Sequence, residues 1–253
     1  MPIPDSADPR PVRSPLPAMP DYYADAEGKR RFTGSMFDAS AADYDRVDRL
    51  LAFGSGSWYR RQALLRAGLA AGMRMLDVAV GTGLVAREAV QVVGARGAVF
   101  GIDPSAGMLA QSDAHGLRLV RGRAEALPFA AQSLDFLCMG YALRHLADLQ
   151  TVFGEFRRVL RPGGRVLVLE ITRPEGRVAN TVLKAYLHGV LPVLSRLVSR
   201  SKDTPALYRY YWDTIEACVP PARILATLAD AGFAGVAHQV QLGIFSEYSA
   251  RLP

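Results

Sequence analysis

A doubly wound α/β fold, a mostly parallel sheet with helices on both faces, is the class that this sequence predicts, and three observations predict it. Short apolar strands alternate with helical segments between residues 73 and 170, the pattern of a parallel sheet buried on both sides. An apolar run from Met73 to Val80 ends in the glycines of LDVAVGTG, Leu76 to Gly83, which let the backbone turn tightly and approach a ligand. Asp103, in GIDPSAGML (Gly101 to Leu109), stands about 20 residues beyond Gly83, where a carboxylate accepts both hydroxyls of a ribose.

The elements follow in chain order. Residues 1–20 are proline-rich, with Asp5 and Asp8 among scattered arginines, and cannot bury much apolar surface, so a tail that is disordered or loosely draped is expected there. The rest, 21–253, reads as a single domain, because a chain of 253 residues buries one sizeable core. Residues 21–66 are aromatic and periodic and predict a helical cap ahead of the sheet. Strands are expected near 73–79, 97–102, 117–121, 134–140 and 164–170, with helices near 84–93, 105–112 and 148–160. Ligands of such a sheet lie at the carboxyl ends of its strands beside the topological switch point, where Gly81, Gly83 and Asp103 fall.

Composition narrows the class. Half the residues are apolar, 21% are charged and the net charge is +6. That excess is scattered, so nucleic acid is not the expected partner. Cys138 and Cys218 are isolated and form neither a ligand pair nor a disulfide framework, which suits a reducing cytoplasm, and no cluster points to a metal. No apolar run is long enough to span a bilayer, and the N-terminus lacks a signal-peptide core.

The glycine loop departs from a dinucleotide site in two ways. Ala86 stands where a third glycine belongs, and Asp77 lies within four residues of Gly81, where it would repel a pyrophosphate at the helix N-terminus. A cofactor with a cationic head, a ribose and no phosphate fits better, and S-adenosylmethionine has all three properties. An ordinary tight strand–helix turn is the plain alternative; Asp77 and Asp103 together favour the cofactor.

MFDASAADYD (Met36 to Asp45), LDVAVGTG, GIDPSAGML, RAEALPF (Arg123 to Phe129), YALRHL (Tyr141 to Leu146), RRVLRPGGRVLVLEIT (Arg157 to Thr172) and YRYYWDTIEACVPPARILATLADAGF (Tyr208 to Phe233) follow one another. In that order they resemble the ubiquinone/menaquinone biosynthesis C-methyltransferases, within the class I S-adenosylmethionine-dependent methyltransferases with a Rossmann-like fold. The resemblance covers about residues 30 to 235. It implies a seven-stranded sheet whose last strand runs antiparallel, with a final hairpin from Val236 to about Ser249 and Gly243 near its turn. It also implies that Asp77 and the loop of Ala79, Gly81, Thr82 and Gly83 hold the methionine moiety. Asp103 would hold the ribose, Ala124 and Glu125 would flank the adenine, Pro104, Met108 and Tyr141 would complete the pocket, and Tyr44 would close over it. Three departures stand out: Arg123 where the family carries Asp or Asn, His145 where it carries Asn, and a C-terminal FSEYSARLP in place of a basic tail.

The chemistry implied is C-methylation of a prenylated benzoquinol or naphthoquinol. A ring carbon becomes nucleophilic once the neighbouring hydroxyl loses its proton, so a base or an oxyanion partner is required. Arg144, which stays charged, is expected to stabilise the oxyanion. His145 is a candidate base; its plain alternative is a helix-start residue with its ring in solvent. The alternative acceptor is a soluble aromatic or polyketide-like metabolite, and a third reading is a non-methylating protein that keeps the pocket. A helical insertion near the substrate site is expected over 175–215. Within 180–200, Leu183, Tyr186, Leu187, Val190, Val193, Leu194 and Leu197 share one apolar face, with Lys184, His188, Ser195, Arg196 and Ser199 opposite and Pro192 expected to break the helix. That face suits packing on the domain, a membrane surface or prenyl tail, or a homodimer.

Overall fold

The computed structural model describes residues 10–51, 55–112, 117–174, 176–193 and 204–253. Seven strands form one sheet in the order β3-β2-β1-β4-β5-β7-β6. They are β1 (Arg74–Val78), β2 (Ala98–Asp103), β3 (Leu117–Arg121), β4 (Leu134–Gly140), β5 (Leu160–Ile171), β6 (Ala234–Gln241) and β7 (Phe245–Arg251). All neighbouring pairs are parallel until β7, which runs antiparallel to both β5 and β6. The order reverses between β1 and β4, which places the switch point at their carboxyl ends. The expected strands and the final hairpin are all present. Its turn uses two left-handed residues, Leu242 (φ 52°) and Gly243 (φ 74°), with Ile244 N–H donating to the Gln241 carbonyl at 3.2 Å.

Alternation along the central strands explains the two cores. Leu76 and Val78 of β1, Leu137 and Met139 of β4, and Val166 and Val168 of β5 face one side with Phe153 and Phe156. Met75, Phe136, Cys138, Leu167 and Leu169 face the other with Tyr59, Leu64 and Val85. Successive side chains of a strand point to opposite faces, so a strand covered on both sides must be apolar throughout. Asp77 interrupts that rule on the second face, paired in register with Cys138. Helices α1 (Ala26–Leu51), α2 (Gly56–Arg66), α3 (Leu84–Val93), α4 (Ala106–Gln111), α5 (Leu149–Val159), α6 (Arg177–Ala185), α7 (Thr204–Ala217) and α8 (Pro221–Asp230) complete the described fold.

Helix α6 continues into a π-turn over Tyr186–Val190. The wide turn lies just before Pro192, whose ring would clash with a carbonyl one turn back in a regular helix, so the expected break becomes a local widening. The expected apolar face divides. Leu187 and Leu191 are buried with Trp212 and Ile215, and Leu183 and Tyr186 pack beside them. Val190 and Val193 stay exposed together with Val178 and Val182. Leu194 and Leu197 lie outside the described residues, as do residues 1–9 of the tail.

Residues 10–20 drape over the domain and are bonded to it at several points. Leu149 N–H donates to the Arg13 carbonyl at 2.7 Å, and Val219 N–H to the Pro15 carbonyl at 3.0 Å. Val12 N–H donates to Thr227 Oγ1 at 2.9 Å, and Leu16 is 4% exposed. Leu149 begins α5, and its N–H has no partner inside the helix. The strap therefore docks through backbone groups, for which apolar composition is no guide. A chain starting at Asp21 loses these bonds and the Leu16 burial, about 3 kcal/mol. Its Tm is expected to fall by roughly 6–12 °C, measured by calorimetry; an unchanged melting curve would show that the strap adds no stability.

Candidate active site

The site begins where β1 and β4 end. Ala79 follows β1 with φ 58°, and Tyr141 follows β4 with φ 60°. Two adjacent parallel strands thus turn away through left-handed non-glycine residues, a conformation that the surrounding structure must hold in place. Gly81 (φ 55°) and Gly83 (φ 88°) complete the first turn. A β-carbon at Gly83 would come within 2.8 Å of Ser112 Oγ, whereas one at Gly81 would meet nothing within 4 Å. The loop packs closely at Gly83 and is open at Gly81.

Asp103 ties this loop to the next strand. One carboxylate oxygen accepts from Gly81 N–H and the other from Ser105 N–H, each at 2.8 Å. Lone pairs remain on both oxygens for a ribose. Asp77 is different. It is 1% exposed, neither of its oxygens makes a well-formed hydrogen bond, and the Ala86 backbone N–H gives it only partial relief. Burial, with the nearby Asp103 charge added, pushes its pKa up to about 8. Such an acid in an apolar layer is stabilised by an incoming cation. The residues present therefore fit the cationic cofactor expected from the sequence.

A cavity of about 870 Å³ opens over these strand ends. Among the residues expected at the site, Tyr44, Ala79, Gly81, Asp103, Pro104, Met108, Ala124, Glu125, Tyr141 and His145 line it. Asp77, Thr82 and Gly83 lie outside the lining, and so does Arg144. Arg123 is exposed at the cavity wall.

Helix α1 forms the roof and is fastened at two points. Asp38 accepts from Gly107 N–H at 2.9 Å and from the Ser105 hydroxyl, at the N-terminus of α4. Asp45 accepts from Thr82 Oγ1 at 2.5 Å and pairs with Arg87 at 2.8 Å, at the start of α3. Both acids belong to the MFDASAADYD run, but their role was not legible there, since their partners are 37 to 69 positions away. Lys29, also on α1, is buried and donates to the carbonyls of Arg144 (3.2 Å) and Leu146 (2.7 Å). It thus clamps the turn on either side of His145. Burial pulls its pKa down to about 8.

Arg144 and His145 occupy a single 3-10 turn, Leu143–His145, yet they diverge. Arg144 is 2% exposed and points into the protein, where its guanidinium pairs with Glu170 of β5. Its charge is compensated below the cavity floor, so the structure does not place it where it could touch an acceptor oxyanion. The His145 ring lines the cavity. Its Nδ1 lies 3.2 Å from the Tyr210 hydroxyl, and its Nε2 is shielded and without a partner, not in open solvent. Burial holds its pKa well below 6.5, reinforced by the positive charges of Arg144 and Lys29, so the ring is neutral at pH 7.

The Asp77 environment makes a prediction. An unfolded aspartate ionises near pH 3.9, whereas the folded one keeps its proton to about pH 8. The folded state therefore binds the extra proton, and its stability falls as pH rises between about 4 and about 8. Asp77→Asn is expected to flatten that decline. Urea unfolding at about pH 5 and about pH 8 measures it, and an unchanged slope would remove the buried acid from the account.

The ubiE/COQ5 methyltransferase family profile matches residues 25–250. The demethylmenaquinone methyltransferase of Mycolicibacterium paratuberculosis is 33% identical over 231 residues, covering 91% of this chain and 98% of that protein. The ubiquinone/menaquinone biosynthesis C-methyltransferase UbiE of Syntrophotalea carbinolica is 35% identical over 224 residues, 86% of this chain and 92% of that one. Among solved structures, the [4+2]-cyclase SpnF aligns at TM-score 0.63 and 16% identity over 95% of this chain and 99% of its own. A Thermotoga maritima S-adenosylmethionine-dependent methyltransferase, a possible histamine N-methyltransferase, aligns at 0.61 and 18% over 87% and 99%. The varied activities of those structural neighbours show the fold alone; the sequence matches go further, and the chain belongs to the ubiE/COQ5 methyltransferase family.

Proposed function

We propose that this protein C-methylates a prenylated benzoquinol or naphthoquinol with S-adenosylmethionine, with His145 as the base. The observation that carries the reading is one cavity lined both by the Gly81–Asp103 cofactor end and by a shielded, neutral imidazole. The family membership and the quinone-biosynthesis relatives support the acceptor class. Asp77, the backbone at Gly81 and the Asp103 carboxylate would hold the cofactor, with Ala124 and Glu125 beside the adenine and Tyr44 above. When bound, the cofactor supplies a methyl group on a sulfonium, already activated for transfer.

The protein's share is positioning and proton management. His145 takes the hydroxyl proton of the acceptor, which drives electron density onto the adjacent ring carbon. With the cofactor bound, that carbon would take the methyl group as the S–CH3 bond breaks, the electron pair staying on sulfur. The ring hydrogen then leaves as a proton, and the imidazolium returns its own proton to oxygen. Arg144 acts from behind, as half of a buried pair that braces the His145 turn.

The test is incubation with S-adenosylmethionine and reduced demethylmenaquinone or a short-chain ubiquinol precursor, with mass spectrometry for one added ring methyl. No product from either, with turnover of a soluble aromatic acceptor, would replace this reading. His145→Ala is expected to lower kcat roughly 10²- to 10⁴-fold. The acid limb of kcat/KM should lie below pH 6.5 in the parent protein, where His145 becomes charged. A limb at higher pH would exclude His145 as the base.

Among the described residues no helix is long and apolar enough to cross a membrane. We assign the exposed Val178, Val182, Val190 and Val193, with Arg177 and Lys184 beside them, to contact with the membrane surface where such acceptors reside. Co-sedimentation with phosphatidylglycerol vesicles should fall in Val178→Glu/Val182→Glu. Equal sedimentation would overturn this assignment, as would a loss of dimer in that variant.

A further inference from the structure

A histidine serves as a base only through the nitrogen that lacks a proton, and the hydrogen bond made by the other nitrogen decides which one that is. His145 has one such bond. Its Nδ1 is 3.2 Å from the hydroxyl of Tyr210 on α7, and the two rings stack at 5.5 Å with 22° between their planes. Phe37 of α1 meets the imidazole edge-on at 5.2 Å, while Lys29 fixes the carbonyls on both sides of residue 145. Tyr210 is fully buried, so bulk water does not compete for its hydroxyl. The ring is thus held in place on several sides with Nε2 unpartnered.

A phenol has one hydrogen to give and lone pairs to accept with. If Tyr210 donated to Nδ1, the proton of His145 would sit on Nε2 and the ring would present no base. The Tyr23 hydroxyl offers the alternative. It is buried and in hydrogen-bonding interaction with Tyr210, which gives the phenolic hydrogen another direction to turn. The charged and titratable groups that surround the imidazole are Lys29 from α1, Arg144 from its own turn with Glu170 of β5 behind it, and Tyr210 and Tyr211 from α7.

We infer that Tyr210 is a positioning residue: its hydroxyl accepts the Nδ1–H of His145, which leaves the lone pair of Nε2 as the basic nitrogen offered to the acceptor hydroxyl. The inference rests on His145 being the base of the proposed reaction and adds how the base is set. When Nε2 takes the proton, the imidazolium keeps the Nδ1–H bond to Tyr210, so the ring does not turn between uptake and return.

The test reads the tautomer directly, by ¹⁵N NMR of the histidine rings in the full chain, with His145→Asn assigning the signal. At pH 7 the parent protein should show a protonated Nδ1 and an unprotonated Nε2. Tyr210→Phe keeps the ring and its packing, so cofactor affinity should be unchanged. The proton should move to Nε2, and kcat should fall roughly 10- to 100-fold. In a His145→Asn background the same change should have no further effect on kcat. A proton on Nε2 in the parent protein would overturn the inference, as would an unmoved tautomer in Tyr210→Phe. Full activity of His145→Asn would instead sink the base reading, while the NMR signal still decided the Tyr210 bond.

Discussion

Two carboxylates buried at the ends of neighbouring strands set the terms for the rest of this structure. Asp77 on β1 and Asp103 on β2 are each under 10% exposed; burial raises the cost of ionising both, and the Asp103 charge adds to that cost at Asp77. Asp103 meets that cost with two backbone N–H groups, and in doing so joins the glycine loop to the start of α4. Asp77 has only partial relief, from the Ala86 N–H. A buried acid that ionises only when a cation approaches, beside a carboxylate that keeps free lone pairs, suits a cation and hydroxyl groups better than a phosphate. Similar backbones serve unlike chemistries, and the acids choose among them.

The roof answers the same problem from above. Asp38 and Asp45 on α1 take N–H and hydroxyl donors at the starts of α4 and α3, where helix N-termini favour negative groups. The helix that closes the cavity is therefore bonded to the two helices that open from it. Because Lys29 lies on the same helix, its grip on the carbonyls around His145 links cofactor cover and acceptor end through one rigid element.

On the acceptor side, the buried pair of Arg144 with Glu170 separates two residues that neighbour each other in sequence. A guanidinium inside the protein needs a counter-charge, and Glu170 supplies it from β5. With Arg144 turned inward, the 3-10 turn presents His145 to the cavity. Position 145 thus carries a titratable ring in a setting that keeps it neutral.

Sequence alone determined the sheet and its switch point, and it placed Gly81 and Asp103 at the strand ends where the cavity opens. Those rest on period-two alternation, on glycines at LDVAVGTG and on the spacing to Asp103, all properties of short stretches that survive without knowledge of what they touch. How the strap over residues 10–20 is attached was not legible, because much of its docking is through backbone groups that composition does not report. The apolar face of 180–200 was half right, since a wheel shows which residues share a side and not which side meets Trp212. Arg144 and His145 were both candidates for the acceptor end, one for the oxyanion and one for the proton. Only the tertiary structure, by bringing Glu170 beneath one and Tyr210 beside the other, decided which faces the cavity, because charge compensation and hydrogen bonding at that turn come from strands and helices 26 and 65 positions away.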